Sequence, residues 1–350
     1  EASVESCFSG KFEKDFETYL TDQFPMRDGW ISAKTAIEKA TFKTESKDIY
    51  FADDDYLIEA HSKSFTAPSA NANIGYLKNF METCVETYGK DHATAMVVPN
   101  AVDILRDHLP KYASPYDEEV YLQKVADAMP EGTWFDSGSV LREHKNIQLY
   151  YRTDHHWTSL GAFYGANALL EVLGRESLKQ ESFTPEIAST SFNGTLYSQS
   201  GIHWLTPDTM EFWVKEDGLT VTSWRTGSPE PSILYDRSYL TEKDKYASFL
   251  GGNQPLCVIR NENARDGGKL LLIRDSYSDA LAPFLAQSFA EVHLLDPRYY
   301  RMPPAQYAAE NGIDAICVVY SIPNFITDRN LVFLYPKADW TREYGDLGRR

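Results

Sequence analysis

The sequence predicts an α/β fold in which a mostly parallel sheet is flanked by helices. In the last third of the chain, the apolar runs KLLLI, EVHLL and DAICVVY alternate with the helical patterns YSDALAPFLAQSF and PPAQYAAEN. A continuous apolar run is typical of a strand buried on both faces, and strand–helix alternation is typical of parallel sheets. A length of 350 residues fits two average domains or one with a large insertion. We expect the second, a single domain over residues 1–350.

The first 60 residues are expected to form a helical and hairpin lead-in. Phe12, Phe16 and Leu20 recur at helical spacing, and a second helical pattern covers residues 31–41. The segment DIYFADDDYLIEA predicts two short strands around an acidic turn. The chain opens abruptly at EASVESC, and we expect an export segment or membrane anchor to precede it.

Helices and strands alternate through the middle of the chain. Helical patterns cover residues 72–90 and 118–130, and another helix is predicted to begin with Thr158 or Ser159 as its N-cap. The short apolar runs ATAMVV and NIQLYY predict strands. The segment TDHHW therefore lies between a predicted strand and a predicted helix.

Residues 180–262 differ from the rest of the chain in composition. Gly, Ser, Thr, Pro and aromatic residues dominate, as in SFNGTLYSQSGIHWLTPDTMEFW. This predicts an irregular, β-rich insertion with long loops, and long ordered loops are often functional. Tyr197, Trp204 and Trp213 are candidates for stacking on sugar rings, although packing in the core accounts equally well for the aromatic content.

The charge and the cysteines narrow the function classes. A net charge of −17 repels the phosphate backbone, so no nucleic-acid partner is expected. No apolar run approaches the ~20 residues needed to cross a bilayer. The four cysteines, Cys7, Cys84, Cys257 and Cys317, have no CxxC spacing, so no zinc knuckle is indicated and disulfides stay possible. Cys317 lies in the apolar run AICVVY and is interpreted as a core residue.

Polar segments that follow the predicted strands hold the candidate functional residues. They are PNA at 99–101, TDHHW at 153–157, RDSYS at 274–278 and, more weakly, YSIPNF at 320–325. Ligands of open α/β sheets bind beyond the carboxyl ends of the strands. We therefore expect these segments to meet along one edge of the sheet.

The adjacent histidines raise the question of a metal site. Neighbouring residues of an extended segment point to opposite faces, so His155 and His156 are not expected to bind one ion together. Asp154 and His156 can face the same way, but two ligands without an HExxH motif or cysteine cluster do not complete a site. We expect no metal and no cofactor, and a local packing or hydrogen-bonding role for His155. A metal-dependent hydrolase remains an alternative.

The same residues also fit nucleophilic catalysis. A serine needs a base to take its proton, and the base works best when a carboxylate fixes its tautomer. Asp154 and His156 supply orienter and base, and Ser276 lies where a buried strand gives way to a helix. Such a junction directs free backbone N–H groups at a developing oxyanion. Structural alternatives remain, because Asp154 and Ser276 can be helix caps and Asp275 or Ser278 can compete for the nucleophile position.

The segment YYRTDHHWTSLGA resembles the signature of the bacterial DHHW proteins. DQFPMRD, DIYFADDDYLI, NGTLYSQSG and LLLIRDSYSDALAPFLA extend the resemblance over most of the chain. The DHHW core is similar to the exported alginate O-acetyltransferases, whose fold is a variant of the SGNH hydrolase fold. The resemblance implies a flavodoxin-like sheet, with Asp154 as orienter, His156 as base and Ser276 as nucleophile. The order is permuted, because in ordinary SGNH hydrolases the serine comes first.

The resemblance also implies an activity. It points to a serine-dependent carbohydrate O-acetyltransferase or acetylesterase that acts on a cell-surface or exported polysaccharide, outside the cytoplasmic membrane. A membrane-bound partner that hands over acetyl groups is implied in the same way. The alternative on the same fold is a polysaccharide-binding protein without catalytic activity.

Five further residues are expected near the substrate: Arg274, Trp157, Tyr277, Asn100 and Trp204. Arg274 departs from the glycine that the resemblance leads us to expect. It can bind a carboxylated sugar, obstruct the site, or form an ion pair with Asp154 or Asp279. Trp157 is a packing anchor or a sugar platform, and Asn100 is a candidate donor to the oxyanion.

Overall fold

The computed structural model describes residues 27–334. Its α-helices are α1 (Arg27–Ala40), α2 (Pro68–Tyr88), α3 (Ala101–Ile104), α4 (Glu118–Ala128), α5 (Ser137–Glu143), α6 (Ser159–Val172), α7 (Thr195–Ser200), α8 (Tyr277–Leu285), α9 (Pro304–Asn311) and α10 (Ile322–Thr327). Its strands are β1 (Glu45–Ser46), β2 (Ile49–Phe51), β3 (Leu57–Glu59), β4 (Ala93–Val98), β5 (Thr184–Phe192), β6 (Asp208–Val214), β7 (Leu219–Ser223), β8 (Glu230–Ser232), β9 (Leu256–Asn261), β10 (Lys269–Arg274), β11 (Glu291–Leu295) and β12 (Ala315–Ser321). The helical pattern expected around Phe12, Phe16 and Leu20, and Cys7, lie outside the described residues.

A mixed sheet forms the centre of the described range, with its seven strands in the order β4-β12-β10-β11-β9-β7-β8. The four strands β4, β12, β10 and β11 are parallel to one another. The remaining pairings, β11–β9, β9–β7 and β7–β8, are antiparallel. The α/β class is confirmed, but the expectation of a mostly parallel sheet is wrong, because three strands from residues 219–261 extend it in antiparallel fashion.

The segment predicted as an insertion is therefore joined to the central sheet. Only β5 and β6 form a separate two-stranded sheet, whereas β7, β8 and β9 continue the central one within the described residues. The main-chain N–H of Trp224 also donates to Leu256, the first residue of β9. Residues 219–261 are thus an integral part of the central sheet.

Both faces of the central sheet are buried, as the apolar runs predict. Leu270 and Leu272 of β10 pack in one apolar cluster, together with helices α6 and α8. Leu271 and Ile273 point the other way, into a second cluster with α2, α4 and α10. Alternation along a strand produces this division. The apolar run is continuous because helices cover each face.

The predicted strand NIQLYY is absent. The outer edge of β4 is already occupied, since Ala95 exchanges main-chain hydrogen bonds with Thr133 and Phe135. The backbone of residues 149–151 turns instead to the segment that follows it. Thr158 donates to the carbonyl of Leu149, and Tyr151 donates to that of His156. The segment TDHHW is therefore the tip of an irregular loop, and it does not follow a strand.

Two other features bear on the sequence predictions. Cys84, Cys257 and Cys317, the cysteines among the described residues, are free thiols in the core, so the interpretation of Cys317 is confirmed. No helix within residues 27–334 combines the length and the apolar character needed to span a membrane.

Candidate active site

The carboxyl ends of the four parallel strands meet at one edge of the sheet. Asn100 follows β4, Asn324 follows β12, Ser276 follows β10 and Arg298 follows β11. Ser276, Asn324 and Arg298 line a common cleft of about 510 Å³ at this edge, together with His155 and other residues. The strand topology thus brings three of the four predicted segments to one edge of the sheet: PNA after β4, RDSYS after β10 and YSIPNF after β12.

The loop that holds the histidines reaches the same edge because buried polar contacts hold it. Asp208, fully buried at the start of β6, accepts hydrogen bonds from the main-chain N–H and the hydroxyl of Thr153 at 2.8 and 2.7 Å. Thr153 also accepts from the main-chain N–H of Gly194 at 3.1 Å. The backbone of residues 152–154 is therefore fixed to the chain on both sides of α7.

Trp157 joins this loop to the segment that carries Ser276. Its indole N–H donates to the main-chain oxygen of Tyr277 at 2.9 Å, and the side chain is fully buried. Its ring lies against Gly165 of α6, where an added Cβ would come within 2.9 Å of it. Of the two interpretations of Trp157, the packing anchor agrees with the structure, and the sugar platform is wrong because the ring does not reach the cleft.

Ser276, His156 and Asp154 lie in one hydrogen-bonded series. The distance between Ser276 Oγ and His156 Nε2 is 2.8 Å, and that between His156 Nδ1 and Asp154 Oδ1 is 2.6 Å. Asp154 and His156 are buried, while Ser276 is partly exposed to the cleft. Since a carboxylate only accepts, the proton of a neutral His156 is on Nδ1, which leaves Nε2 to accept from the serine hydroxyl.

The carboxylate of Asp154 is held in its ionised form. Burial by itself raises the pKa of Asp154, but the adjacent histidines and hydrogen bonds from His156 and Thr195 outweigh it and hold the pKa well below its usual range. Oδ2 accepts from the main-chain N–H and the hydroxyl of Thr195 at 2.8 and 3.0 Å. Asp154 also accepts from the main-chain N–H of His156 in the turn that precedes α6, at 3.0 Å, although Thr158 is the residue that caps that helix.

Ser276 precedes helix α8 without capping it. Its side chain makes no capping bond, so the cap interpretation is wrong. The main-chain N–H groups of Tyr277 and Ser278 both bond to Asp275. The N–H of Ser276 donates no hydrogen bond to any of residues 27–334. That donor is free to hold a negatively charged oxygen beside Ser276 Oγ.

Asp275 fixes the turn on which Ser276 sits. Fully buried, its Oδ2 accepts from the main-chain N–H of Ser321 at 2.9 Å, the hydroxyl of Ser321 at 2.6 Å and the side-chain amide of Asn324 at 2.8 Å. Asp275 is thus occupied by structural hydrogen bonds. Ser278 is also fully buried, and its hydroxyl has no partner among the described residues. Both rivals of Ser276 are therefore turned away from the cleft.

Tyr246 covers the outer face of the His156 ring. The two rings are stacked with centroids 3.7 Å apart and an interplanar angle of 9°. The Tyr246 hydroxyl donates to the main-chain oxygen of Ser276 at 3.3 Å. One residue from the predicted insertion thereby restrains both the imidazole and the serine segment.

The two adjacent histidines lie side by side, contrary to the sequence-based expectation. Their ring centroids are 4.0 Å apart, because the loop is not extended and its side chains do not alternate. Donor atoms of Asp154, His155 and His156 lie within 4.8 Å of one another. His155 Nδ1, however, is 2.7 Å from the Thr195 hydroxyl, and both nitrogens of His156 are in hydrogen bonds. Apart from Nε2 of His155, the imidazole nitrogens of this cluster are thus occupied by protein partners.

Arg274 does not reach the cleft. It is fully buried, and its Nη1 lies 2.8 Å from Oδ1 of Asp279 and 3.9 Å from Oδ2 of Asp296. Its Nε and Nη2 have no hydrogen-bond partner among the described residues. The ion pair with Asp279 is the correct alternative. The expectation of a substrate contact is wrong, because Arg274 is fully buried and is not among the residues that line the cleft.

The three other expected substrate contacts do not line the cleft either. Asn100 is buried and caps α3 by accepting from the main-chain N–H of Ala101, and it is not among the residues lining the cleft. Tyr277 is buried, and its hydroxyl donates to the main-chain oxygen of His155. Trp204 is 46% exposed but also lies outside the lining of the cleft. The substrate-contact expectation is therefore corrected for all three, because their side chains pack or point elsewhere.

Trp213 and Tyr197 were sugar-stacking candidates as well. Trp213 packs edge-on against Phe284 in the core, at a centroid distance of 6.0 Å. The hydroxyl of Tyr197 donates to the main-chain oxygen of His203 at 2.9 Å. Neither ring lines the cleft.

Several cleft residues were missed by sequence reasoning. They include Thr195, Arg225, Tyr239, Tyr246, Asn253 and Arg298. Most come from residues 219–261, where no periodic pattern assigns a direction to each side chain. The match of NGTLYSQSG to the DHHW pattern was the signal that could have drawn attention to Thr195.

Comparisons with known proteins identify the family to which the sequence belongs. Residues 45–295 match the sequence profile of the DHHW protein family. Over 196 residues the chain is 25% identical to the probable alginate O-acetylase AlgJ of Pseudomonas putida. That match covers 53% of this chain and 50% of AlgJ, so the chain spans about half the length of this curated relative.

Solved structures share the fold. A DHHW family protein from Eubacterium siraeum superposes with a TM-score of 0.64 at 22% identity, covering 83% of this chain and 96% of that one. Bacillus cereus PatB1 carrying a sulfonyl adduct superposes with a TM-score of 0.66 at 21% identity, covering 83% of this chain and all of PatB1. With the family profile spanning most of the sequence, the chain belongs to the DHHW protein family.

Proposed function

We propose that this protein is a serine-dependent carbohydrate O-acetyltransferase or acetylesterase that acts on a polysaccharide outside the cytoplasmic membrane. The observation that carries the proposal is the 2.8 Å hydrogen bond between Ser276 Oγ and His156 Nε2, with Asp154 behind the imidazole. The acetyl group is suggested by the name of the curated relative, a probable alginate O-acetylase. On this proposal the fold is an SGNH hydrolase variant with permuted catalytic segments.

In the first half-reaction, Ser276 Oγ attacks the carbonyl carbon of an acetyl ester. The serine proton passes to Nε2 of His156, and Asp154 stabilises the imidazolium that forms. The oxyanion is held by the free main-chain N–H of Ser276. Asn324 is a candidate for the second donor, because it lines the cleft and its NH₂ group retains one N–H after bonding to Asp275. The imidazolium then protonates the leaving alcohol.

In the second half-reaction, a hydroxyl group attacks the acetyl-serine ester. His156 takes the proton of that hydroxyl and returns it to Ser276 Oγ as the ester bond breaks. Water as the attacking group gives acetate, and a sugar hydroxyl gives an acetylated glycan. The acceptor would bind in the cleft of about 510 Å³ beside Ser276, and a membrane-bound protein would supply the acetyl group.

Reaction with a sulfonyl fluoride tests the nucleophile. We expect the wild type to gain one sulfonyl group on Ser276, mapped by peptide mass spectrometry, and to hydrolyse an activated acetyl ester such as 4-nitrophenyl acetate. The Ser276→Ala variant should lose both reactions. The matched control is Ser278→Ala, which removes a buried hydroxyl two residues away. Labelling elsewhere, or full activity of Ser276→Ala, would reject the proposal.

The same assay separates the alternatives. A polysaccharide-binding protein would bind glycan with and without Ser276 and would never turn over an acetyl ester. A metal-dependent hydrolase would lose its activity on treatment with a chelator and recover it on addition of the metal. We expect esterase activity that a chelator does not change.

A further inference from the structure

The second histidine of the cleft, His155, is held through one threonine to the carboxylate that also holds His156. Its Nδ1 lies 2.7 Å from the hydroxyl oxygen of Thr195, and that oxygen lies 3.0 Å from Oδ2 of Asp154. Asp154 therefore contacts His156 directly through Oδ1 and is connected to His155 through Thr195 from Oδ2. Both imidazole rings are oriented by one buried carboxylate.

The hydrogen bonds determine where the proton of His155 lies. An ionised carboxylate has no proton to give, so the Thr195 hydroxyl must donate its only proton to Asp154. The oxygen of Thr195 can then only accept from His155, which places the proton on Nδ1. A neutral imidazole carries one N–H, so Nε2 of His155 has a free lone pair. His155 and His156 thus have the same tautomer, each with an unprotonated Nε2.

Nε2 of His155 is accessible from the cleft. His155 is partly exposed and lines the cleft beside Ser276 and His156. Its Nε2 makes no hydrogen bond to any of residues 27–334 and is not among the buried polar atoms that lack a partner. The two rings are 4.0 Å apart and inclined by 36°. Both adjacent rings therefore carry an acceptor Nε2, and both line the cleft that contains Ser276.

The attacking hydroxyl cannot satisfy both nitrogens. A sugar hydroxyl has one proton, and His156 must take it for the attack to proceed. Neighbouring hydroxyls of a pyranose ring are close to one another, so one can face His156 while the next faces the adjacent ring of His155. Water, which has two protons, can donate to both nitrogens.

We propose that Nε2 of His155 binds the hydroxyl next to the attacking one, so that the preferred acyl acceptor is a vicinal diol. The inference rests on the proposed function, since it concerns the second half-reaction. The attacking oxygen forms its bond to the acetyl carbon, its proton moves through His156 to Ser276 Oγ, and the Oγ–carbon bond breaks. The neighbouring hydroxyl keeps its proton and donates a hydrogen bond to His155 throughout.

His155 is suited to accept a hydrogen bond and poorly suited to remove a proton. Burial, together with repulsion from a charged His156, lowers the pKa of His155 to about 4. At neutral pH the ring is therefore uncharged, and its Nε2 is a weak base that still has a lone pair. Its contribution is to fix the acceptor in position against His156.

Competition between two small alcohols tests this inference. Wild-type enzyme is acetylated with 4-nitrophenyl acetate in the presence of either 1-propanol or 1,2-propanediol, and the ratio of the acetate ester of the added alcohol to free acetate is measured. This ratio measures how the acetyl-enzyme partitions between transfer to the alcohol and hydrolysis by water. It does not depend on how fast the acetyl-enzyme forms. We expect capture by the diol, per hydroxyl, to exceed capture by 1-propanol about fivefold, the size expected of one hydrogen bond.

Two variants locate the effect. In His155→Ala the preference for the diol should disappear. Thr195→Val keeps the shape of the side chain but removes the hydroxyl that fixes the tautomer, and the preference should fall without disappearing. Equal capture of the two alcohols by the wild type, including capture of neither, would overturn the inference, as would an unchanged preference in His155→Ala.

The tautomer is measured independently by ¹⁵N NMR of the full chain, with His155 assigned from the spectrum of His155→Ala. We expect Nε2 to resonate as an unprotonated imidazole nitrogen at neutral pH. A protonated Nε2 would overturn the inference but would not contradict the proposed role of Ser276 as nucleophile. Failure to form the acetyl-enzyme, with the tautomer as expected, would count against the proposed function instead.

Discussion

The α-carbon of Gly194 faces the side chain of Asp154 so closely that a Cβ added there would lie 2.2 Å from Asp154 Cβ and 2.4 Å from its Oδ2. No other residue type fits beside the carboxylate that orients both histidines. The position of Asp154 therefore depends on the absence of a side chain at residue 194.

We expect Gly194→Ala to displace Asp154 and to reduce esterase activity by a factor of at least ten. Gly75 provides the matched control, because it lies in α2 and an added Cβ meets nothing within 4 Å. Gly75→Ala should keep full activity and gain up to about 1 kcal/mol of stability. Activity of purified variants towards 4-nitrophenyl acetate, beside their urea unfolding curves, checks both. Normal activity in Gly194→Ala would show that Asp154 tolerates displacement.

Asp154→Asn should abolish the proposed esterase activity while leaving the fold intact. An amide has a similar shape, but its NH₂ group would favour the wrong tautomer of His156, with the proton on Nε2. The corresponding change in a serine protease lowers kcat about 10⁴-fold. We expect a loss of comparable size here, measured as kcat for an activated acetyl ester. A loss of less than tenfold would mean that His156 does not need the carboxylate.

The buried ion pair behind Ser276 predicts a pH-dependent defect. Burial outweighs the attraction of Arg274 and raises the pKa of Asp279 to about 6. Arg274→Met leaves this carboxylate without its cation, and breaking a buried pair costs about 3–5 kcal/mol. Because the native-state pKa is raised, the stability of the variant should be highest at acidic pH and fall as the pH rises through the native pKa.

Denaturant unfolding at pH 5 and pH 8 measures this defect. The double variant Arg274→Met/Asp279→Asn removes the uncompensated charge, and it should recover most of the lost stability at pH 8. An equal loss at both pH values in the single variant would contradict the assignment.

The pKa of His155 predicts a loss of stability in acid. Its ordinary value is 6.5, and burial with repulsion from His156 lowers it to about 4 in the folded chain. The unfolded chain therefore binds a proton more tightly, so stability is lost as the pH falls from 6.5 towards 4. A pKa lowered from 6.5 to about 4 corresponds to a loss of roughly 3–4 kcal/mol at most. His155→Gln, which cannot titrate, should flatten this part of the curve of unfolding free energy against pH.

Much of the fold followed from local pattern. The apolar runs of β4, β10, β11 and β12 identify strands, and strand direction then places Ser276 and Asn324 at one edge. The run NIQLYY was misassigned because its local composition suits a strand. Whether such a run pairs depends on a free sheet edge, and Thr133 and Phe135 occupy that edge. That information lies outside the run itself.

The candidate site was predictable only in part, for a similar reason. Ser276, His156 and Asp154 could be identified from the sequence because acyl transfer requires a nucleophile, a base and a carboxylate. Thr195 and Tyr246 are ordinary residue types in loops without periodicity, and only the folded chain shows that they fix the imidazoles. Arg274 was open to opposite interpretations, because sequence does not reveal whether a side chain after a buried strand turns inward or outward.

The site is also assembled from distant parts of the chain. Ser276 and His156 are 120 positions apart, and Tyr246 comes from the connection between β8 and β9. Closing loops of this size is slow compared with forming helices or hairpins. During refolding, helical content should thus return well before the serine becomes reactive. Covalent labelling of Ser276 is therefore a stringent reporter of completed folding.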